Sequence, residues 1–225
     1  MERRTFIATA GTGVVALAGC ASAGAGGDDG NADSGDGGQS LEDHPAGRAL
    51  ADQPTLGDSS GGTVIVAFED PSCTQCRRFE ENTYPRIVSD LVEPGKAAFV
   101  YRGLPIIYPW GEPAAAVLEA AYSADPAAFW QLKDHYYAVQ SEFSSDNVYA
   151  ESRAFLDRET DADAEAVVSA ARDGEADDAV DTDLDVGDAL GIGQTPAFYL
   201  FNEGTFRTKI QGPQGYDVFA SALGV

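Results

Sequence analysis

The sequence predicts an α/β fold in which a central mixed sheet is interrupted by a long helical segment. Four short runs rich in β-branched and aromatic residues have the length of buried strands: Thr63–Phe68, Ala97–Tyr101, Ala197–Phe201 and Thr205–Ile210. Helix-compatible sequence occupies most of the interval between the second and third runs, about residues 113–191. The expected order is therefore β-α-β, a helical insertion, and then β-β-α.

Capping and turn residues delimit the helices. Asp70 or Ser72 can cap a helix that follows the first strand, and Pro71 suits its first turn. We expect that helix to run to about Leu91, with a kink at Pro85. Further helices are expected over Ala114–Tyr122, Ala127–Gln140, residues 148–158, 163–172 and 176–190, and Tyr216–Leu223.

The composition is strongly acidic. The 225 residues include 37 Asp and Glu against 14 Lys and Arg, which gives a formal net charge of −23. Nucleic acid is therefore excluded as a partner and anionic lipid headgroups are disfavoured, because both are bound through Lys and Arg. The acids extend through the folded part, which favours a halophilic protein over an ordinary acidic one. A hydrophobic fraction of 44% suffices for a core, and three cysteines are too few for a disulfide-rich scaffold.

Residues 1–20 are typical of an export signal. Arg3 and Arg4 form a twin-arginine pair, and an apolar stretch too short to span a membrane follows from Phe6 to Ala18. Leu17-Ala18-Gly19-Cys20 resembles a lipobox, which predicts lipid attachment at Cys20 and a location on the extracytoplasmic face of the cell membrane. The alternative is a short buried helix, which the glycines of this segment weaken.

Residues 21–62 are expected to form a disordered, acidic, glycine-rich tether, so that the folded domain begins near Thr63 and extends to residue 225. Ala21–Ser40 contains no large apolar side chain that could offset chain entropy. His44, in the second part of this segment, is expected to be solvated.

The motif Cys73-Thr74-Gln75-Cys76 stands between the first predicted strand and its helix. A helix N-terminus carries about half a positive charge and free N–H groups, which stabilise a thiolate on Cys73. Cys76 lies one turn deeper and would act as the resolving thiol. Three alternatives stay open: half of a zinc site, a Cu(I) site, and a purely structural disulfide.

A second motif, Gly193-Gln194-Thr195-Pro196-Ala197-Phe198, precedes the third strand. If the Thr195–Pro196 bond is cis, this loop lies beside the cysteines, and proline offers no N–H to compete for the sulfur. The backbone of Thr195 could then pair with an extended substrate.

Together these motifs resemble the DsbA-like thioredoxin-fold oxidoreductases. The resemblance covers residues 63–225 and rests on Val66–Phe79, Trp110, Phe129-Trp130 and Gly193–Phe198. It implies a thioredoxin fold with an inserted helical domain at about 113–191, and thiol–disulfide exchange with extracytoplasmic proteins.

Carried over by position, Cys73 is the nucleophile, Cys76 its partner and Pro196 the cis-proline, with Thr74, Gln75 and Thr195 supporting the site. The implied partners are cysteine-containing secreted proteins and a membrane redox partner. No metal or organic cofactor is implied, and a monomer is expected. The direction of exchange stays open between oxidase, reductase and isomerase, and a binding module or Cu(I) chaperone on the same scaffold is the alternative function.

This sequence departs from relatives that carry Pro-His between the cysteines or an acid on the first strand, where Ala67 stands here. Arg77 or Arg78 could add positive potential at the sulfur. The other conspicuous residues are expected to be structural. They are Trp110, Phe129 and Trp130 in the core, His135 packed among aromatic residues, and the acids of Asp173–Asp188 on a solvated helical face.

Overall fold

The computed structural model describes residues 38–225. A five-stranded mixed sheet lies at its centre, in the order β1-β3-β2-β4-β5. The strands are β1 (Thr55–Leu56), β2 (Val64–Glu69), β3 (Ala98–Gly103), β4 (Ala197–Asn202) and β5 (Thr205–Gln211). Strand β2 is buried along its whole length because it pairs in parallel with β3 and antiparallel with β4. The apolar character of its sequence follows from this central position.

Eight α-helices are present in the described residues: α1 (Thr74–Asn82), α2 (Tyr84–Ile87), α3 (Gly111–Ala124), α4 (Pro126–Ala138), α5 (Val148–Glu159), α6 (Ala164–Arg172), α7 (Asp177–Ala189) and α8 (Tyr216–Leu223). The helix expected to run to about Leu91 with a kink at Pro85 is instead divided in two: α1 ends at Asn82, and Pro85 lies in the first turn of α2. A π-helical segment, Val88–Val92, continues directly from α2. No helix among residues 38–225 is long and apolar enough to cross a membrane.

The two faces of the sheet are covered differently. On one face, Phe79 of α1 contacts the rings of Phe99, Phe198 and Phe219, so that α1 and α8 pack over the sheet. Helices α3–α7 form the insertion between β3 and β4, and the apolar residues of α3–α6 join this same core together with Val180 of α7. The predicted insertion and the core positions of Trp110, Phe129 and Trp130 are confirmed.

The opposite face is covered by α7 and by the chain that precedes β1. For residues 38–62, the prediction of a disordered tether is therefore wrong. Residues 21–37 lie outside the described residues, but from residue 38 the chain is folded, with short 3₁₀ turns at Pro45–Gly47 and Leu50–Asp52. Thr55 and Leu56 pair with β3. These contacts are long-range, which is why the local composition does not reveal them.

His44 is likewise not solvated. Its side chain is 1% exposed and stacks on Phe206, with ring centroids 4.8 Å apart, and contacts the edge of Phe201. Its Nδ1 accepts a hydrogen bond from the N–H of Ala46 at 3.0 Å. The imidazole therefore packs the segment that precedes β1 against strands β4 and β5.

The acids of Asp173–Asp188 are mostly exposed, but Asp183 is an exception. It is 1% exposed and binds the fully buried guanidinium of Arg102 at 2.5 Å, and it also accepts the N–H of Gly103 at 2.8 Å. The Arg102 guanidinium also donates to the carbonyl of Arg48. This buried ion pair links β3 to α7 and to the segment before β1.

Candidate active site

The candidate site lies in the turn between the end of β2 and the start of α1. Asp70, directly after β2, accepts hydrogen bonds through Oδ1 from the N–H and hydroxyl of Ser72, at 2.7 and 2.6 Å. Its Oδ2 accepts the N–H of Ile107 at 2.7 Å, and the Ser72 hydroxyl accepts the N–H of Tyr108 at 3.1 Å. A Cβ at Gly111 would lie 2.6 Å from Asp70 Oδ1, so this close approach requires glycine. Asp70 and Ser72 thus tie the turn before the cysteines to the loop after β3.

Cys73 is the N-cap residue of α1, and Cys76 lies in the first turn of that helix. Both are free thiols, and the side chain of Cys76 hydrogen-bonds to that of Cys73. Cys73 is 4% exposed whereas Cys76 is completely buried. The backbone N–H of Asp70 approaches the Cys76 sulfur at 3.5 Å. Of the two sulfurs, Cys73 is therefore the one that a substrate can reach.

The Thr195–Pro196 peptide bond is cis and lies against Cys73, as the sequence predicts. The Cys73 thiol donates to the carbonyl oxygen of Thr195 at 3.3 Å. Pro196 is held in place at its own carbonyl, which accepts the N–H of Gly212 at 2.9 Å and the side-chain amide of Gln211 at 3.0 Å. Two segments that are 122 residues apart in sequence are thus joined at the reactive sulfur.

The two thiols have opposite acidity. The hydrogen bond from the Cys76 side chain lowers the pKa of Cys73 to about 6, against the effect of burial, with further help from Thr195 and from the backbone N–H groups of Cys76 and Gln75. Burial raises the pKa of Cys76 well above its ordinary value, and the neighbouring Cys73 and Glu69 raise it further. At neutral pH the pair therefore holds one thiolate, on Cys73, and one thiol, on Cys76.

A buried carboxyl pair lies beneath the cysteines. Glu69, the last residue of β2, is fully buried, and Glu80 of α1 is 8% exposed. Burial raises the pKa of both carboxyls, and Lys133 of α4 opposes this effect with its Nζ 2.6 Å from Glu80 Oε2. Glu80 is therefore the ionised member, and the proton resides on Glu69. A hydrogen bond from the protonated Glu69 carboxyl to Glu80 also gives a partner to carboxyl oxygens of Glu69 and Glu80 that otherwise have none among the described residues.

Lys133 comes from the helical insertion and is itself fully buried. Burial alone would lower its pKa, but the negative charge of Glu80 outweighs this effect and raises it. The ammonium also lies 3.6 Å from the ring centroid of Tyr84. The insertion thus supplies the cation that fixes the charge of the carboxyl pair.

Local sequence patterns do not identify these residues. An acid on the first strand was expected at the position of Ala67, whereas it stands two residues later at Glu69. The available signal was a carboxylate at the end of an uninterrupted apolar run. Gln140 was also missed: its side-chain amide donates to the carbonyls of Pro71 and Cys73, at 2.7 and 3.0 Å.

Only some of the residues predicted to support the site interact with the cysteines. Thr74 and Gln75 are exposed, and within residues 38–225 their side chains form no hydrogen bond, so that Gln75 acts on Cys73 through its backbone. Arg77 is paired with Glu81 at 2.7 Å, and Arg78 is exposed. Cys20 lies outside the described residues.

A surface groove of about 450 Å³ lies beside the active-site turn, lined among others by Ser72, Thr74, Trp110, Gln140 and Phe143. No group of three or more His, Cys, Asp or Glu residues in residues 38–225 is arranged to hold a metal ion.

The sheet, the insertion and the thiol pair at the first helix define a thioredoxin-fold protein with an added helical domain, which confirms the fold expected from the sequence. The family model described as Thioredoxin matches residues 50–223, and the chain belongs to this family.

Two curated proteins illustrate the similarity. The probable disulfide bond formation protein D of Bacillus anthracis is 29% identical over 94 residues, which are 42% of this chain and 43% of that protein. The disulfide bond formation protein D of Bacillus subtilis is 24% identical over 94 residues, 42% of each chain. The matched region thus spans less than half of these relatives.

Solved structures share the fold over a longer range. Oxidised BdbD from Bacillus subtilis has a TM-score of 0.69 at 20% identity and covers 84% of this chain and 98% of its own. Chlamydia trachomatis DsbA has a TM-score of 0.65 at 19% identity and covers 76% of this chain and 90% of its own. Such identities show a common fold.

Proposed function

We propose that this protein is an extracytoplasmic thiol–disulfide oxidoreductase that exchanges the Cys73–Cys76 disulfide or dithiol with cysteines of secreted proteins. The observation that carries the proposal is the asymmetry of the two sulfurs, since the reachable Cys73 is ionised near neutral pH and the buried Cys76 is not. Such a pair is what disulfide exchange needs, because a thiolate attacks and a low-pKa thiol leaves. The names of the curated relatives, disulfide bond formation protein D, support the same class of reaction.

In the oxidising direction, a substrate thiolate attacks Cys73 Sγ of the disulfide, and the Cys73–Cys76 bond breaks. The electron pair goes to Cys76 Sγ, which takes up a proton because its pKa is high in this buried site. Glu69, whose protonated form is favoured by burial, is the nearby acid, and its carboxyl interacts with both Cys76 and Glu80. The second substrate thiolate then attacks the substrate sulfur of the mixed disulfide and expels Cys73 as its stable thiolate. The substrate leaves oxidised and both cysteines are reduced.

Thr195 and Pro196 position the substrate in this scheme. The carbonyl of Thr195 faces Cys73 Sγ, so an extended chain that pairs with this residue brings its own sulfur to the site. Gln140, which belongs to the insertion, donates hydrogen bonds to the carbonyls of Pro71 and Cys73 and so stabilises the active-site turn. Thr74 and Gln75 offer exposed surface beside the sulfur. No metal or organic cofactor takes part in these steps.

The proposal includes the location inferred from the sequence. Residues 1–20 would direct export by the twin-arginine route, lipid on Cys20 would anchor the chain, and a membrane redox partner would reoxidise the cysteines. Supporting features are the Arg3-Arg4 pair, the lipobox-like Leu17–Cys20 and a redox chemistry that suits oxidising compartments. The net charge of −23 supports operation at high salt.

The experiment is dithiol oxidation and insulin reduction by the full chain in molar salt, with Cys73→Ser and Cys76→Ser alongside. We expect turnover by the wild type, none by Cys73→Ser, and accumulation of mixed disulfides with Cys76→Ser. A reduction potential from glutathione buffers then assigns the direction, since 30 mV corresponds to about 1.4 kcal/mol. A wild type without exchange activity that binds one equivalent of Cu(I) would instead establish a metal chaperone.

A further inference from the structure

Strand β5 lies at the edge of the sheet, and most of its outer side has no neighbour among the described residues. It pairs with β4 on one side. On the other side, Ser40 forms an isolated bridge with Thr205, and the N–H of Phe206 donates to Gln39 at 2.8 Å. Beyond this point, toward Gln211, no described strand pairs with it.

The backbone of this free stretch presents hydrogen-bonding groups to solvent. The N–H of Gly212 donates inward, to Pro196, at 2.9 Å. Because successive residues of a strand direct their polar groups to opposite sides, those of Lys209 and Gln211 point away from β4. They can accept an added strand.

The edge is basic in a chain with 37 acids and 14 bases. Strand β5 contains Arg207 and Lys209 and no carboxylate, and both side chains are exposed. Within residues 38–225 neither forms an ion pair, although the Lys209 ammonium lies 5.3 Å from the ring centroid of Tyr199. The groove between β5 and α8 has one carboxylate in its lining, Asp217, which lies 3.8 Å from Arg86.

The free edge is continuous with the candidate active site. The side-chain amide of Gln211 donates to the carbonyls of Gln194 and Pro196, at 2.9 and 3.0 Å, on either side of Thr195. The Thr195 carbonyl in turn accepts the Cys73 thiol at 3.3 Å. At about 3.3 Å per residue, a chain bound at Thr195 can reach Lys209 within a few residues.

We propose that the outer edge of β5, Arg207–Gln211, is a docking edge for an extended acidic segment of a polypeptide substrate whose cysteine reacts at Cys73. Backbone hydrogen bonds with Lys209 and Gln211 hold the segment as an added strand, and Arg207 and Lys209 contact its carboxylates. The inference rests on the proposed function and adds a substrate class to it, namely unfolded acidic polypeptides. The occupant is argued from the charge of the edge and from its continuity with Thr195.

The test uses synthetic dithiol peptides that differ only in the charge of residues about four to eight positions from the reactive cysteine. Acidic, neutral and basic peptides are oxidised by the full chain in molar salt, where attraction beyond direct contact is screened, with oxidised glutathione as the electron acceptor that reoxidises Cys73 and Cys76. The variant is Arg207→Glu with Lys209→Glu, and the matched control is Lys96→Glu with Arg158→Glu, which changes the net charge equally outside β5. Oxidation of dithiothreitol, which is too small to reach the edge, is measured for all three proteins.

We expect the wild type and the control to have a KM roughly three- to tenfold lower for the acidic than for the basic peptide, at similar kcat, since each exposed ion pair contributes modestly. The β5 variant should lose or invert this preference and still oxidise dithiothreitol at the wild-type rate. N-methylation of alternate amides in the acidic peptide should raise its KM, because it removes donors that an added strand needs.

The outcomes separate the two proposals. A wild type that neither oxidises dithiothreitol nor reduces insulin overturns the proposed function. If dithiothreitol is oxidised but the acidic preference is absent, survives charge reversal or ignores N-methylation, the docking edge is wrong and the proposed function stands. Aggregation of the β5 variant with unchanged peptide selectivity also overturns it, and would assign Arg207 and Lys209 the protective role that cations have on sheet edges.

Discussion

The sulfur of Cys73 lies 3.3 Å from the carbonyl oxygen of Thr195, which belongs to the cis Thr195–Pro196 peptide bond. The two residues are 122 positions apart in the sequence. A thiol can donate to that carbonyl, but a thiolate cannot. When Cys73 ionises, this hydrogen bond is lost and the remaining donors near the sulfur become decisive. They are the Cys76 thiol and the first N–H groups of α1.

The acidity of Cys73 tests this arrangement directly. We expect alkylation of reduced Cys73 by iodoacetamide to titrate with a pKa of about 6, below the value of about 8.5 for a free thiol. Cys76→Ala removes the donor with the largest effect and should move the midpoint toward the free-thiol value, whereas Cys76→Ser retains a hydroxyl donor and should move it less. A midpoint that stays at the wild-type value in both variants would show that Cys76 does not stabilise the thiolate of Cys73.

The same shift predicts a pH dependence of stability for the reduced protein. Because the pKa of Cys73 is lower in the folded than in the unfolded chain, its thiolate stabilises the fold above the unfolded pKa, and this contribution is lost as the pH falls through about 6. The free energy of unfolding of the reduced protein should therefore rise relative to that of the oxidised protein between pH 6 and about 8.5. Urea denaturation of both forms at constant salt measures the difference. A constant difference over this range would contradict the ionisation of Cys73 in the fold.

The sequence predicts this thiolate because most of its causes lie in residues 73–76, and the same holds for much of the fold. The capping residues and apolar runs locate β2–β5 and helices α3–α8 to within a few residues. The missed features all depend on distant partners. His44 is buried by rings of β4 and β5, and Arg102 on a strand is neutralised by Asp183 on α7. Neither partner can be identified from local periodicity.

The buried acid was missed for a related reason. Glu69, Glu80 and Lys133 come from a strand, a helix and the insertion, and each alone resembles a surface charge. Only a folded backbone brings the Lys133 ammonium to 2.6 Å from Glu80 beneath the cysteines. Ala67, by contrast, belongs to the apolar core. The motif therefore locates the sulfurs but not the groups that exchange protons with them.

Glu69→Gln tests the buried acid. Since burial raises the pKa of Glu69, its carboxyl disfavours folding as the pH rises above about 4.3, its unfolded value, and glutamine removes this cost while it can still donate to Glu80. We expect the variant to be at least as stable as the wild type at pH 8 and to form mixed disulfides more slowly, because Cys76 loses its proton donor. Stopped-flow quenching with acid and urea denaturation provide the two measurements. Unchanged rates at pH 6–8 would remove Glu69 from the mechanism.

Lys133 is the group on which the charge of this site depends, and its replacement should lower the free energy of unfolding. Lys133→Met preserves much of the side-chain volume but leaves the buried Glu80 without its cation, and the loss of one partner of a buried pair costs about 3–5 kcal/mol. The companion variant Lys133→Met with Glu80→Gln removes both charges and should recover most of that stability. The reduced double variant should retain the low pKa of Cys73, because none of its main causes involves Lys133. If the double variant is as unstable as the single one, the contribution of Lys133 lies in its contact with Tyr84 and not in its ion pair with Glu80.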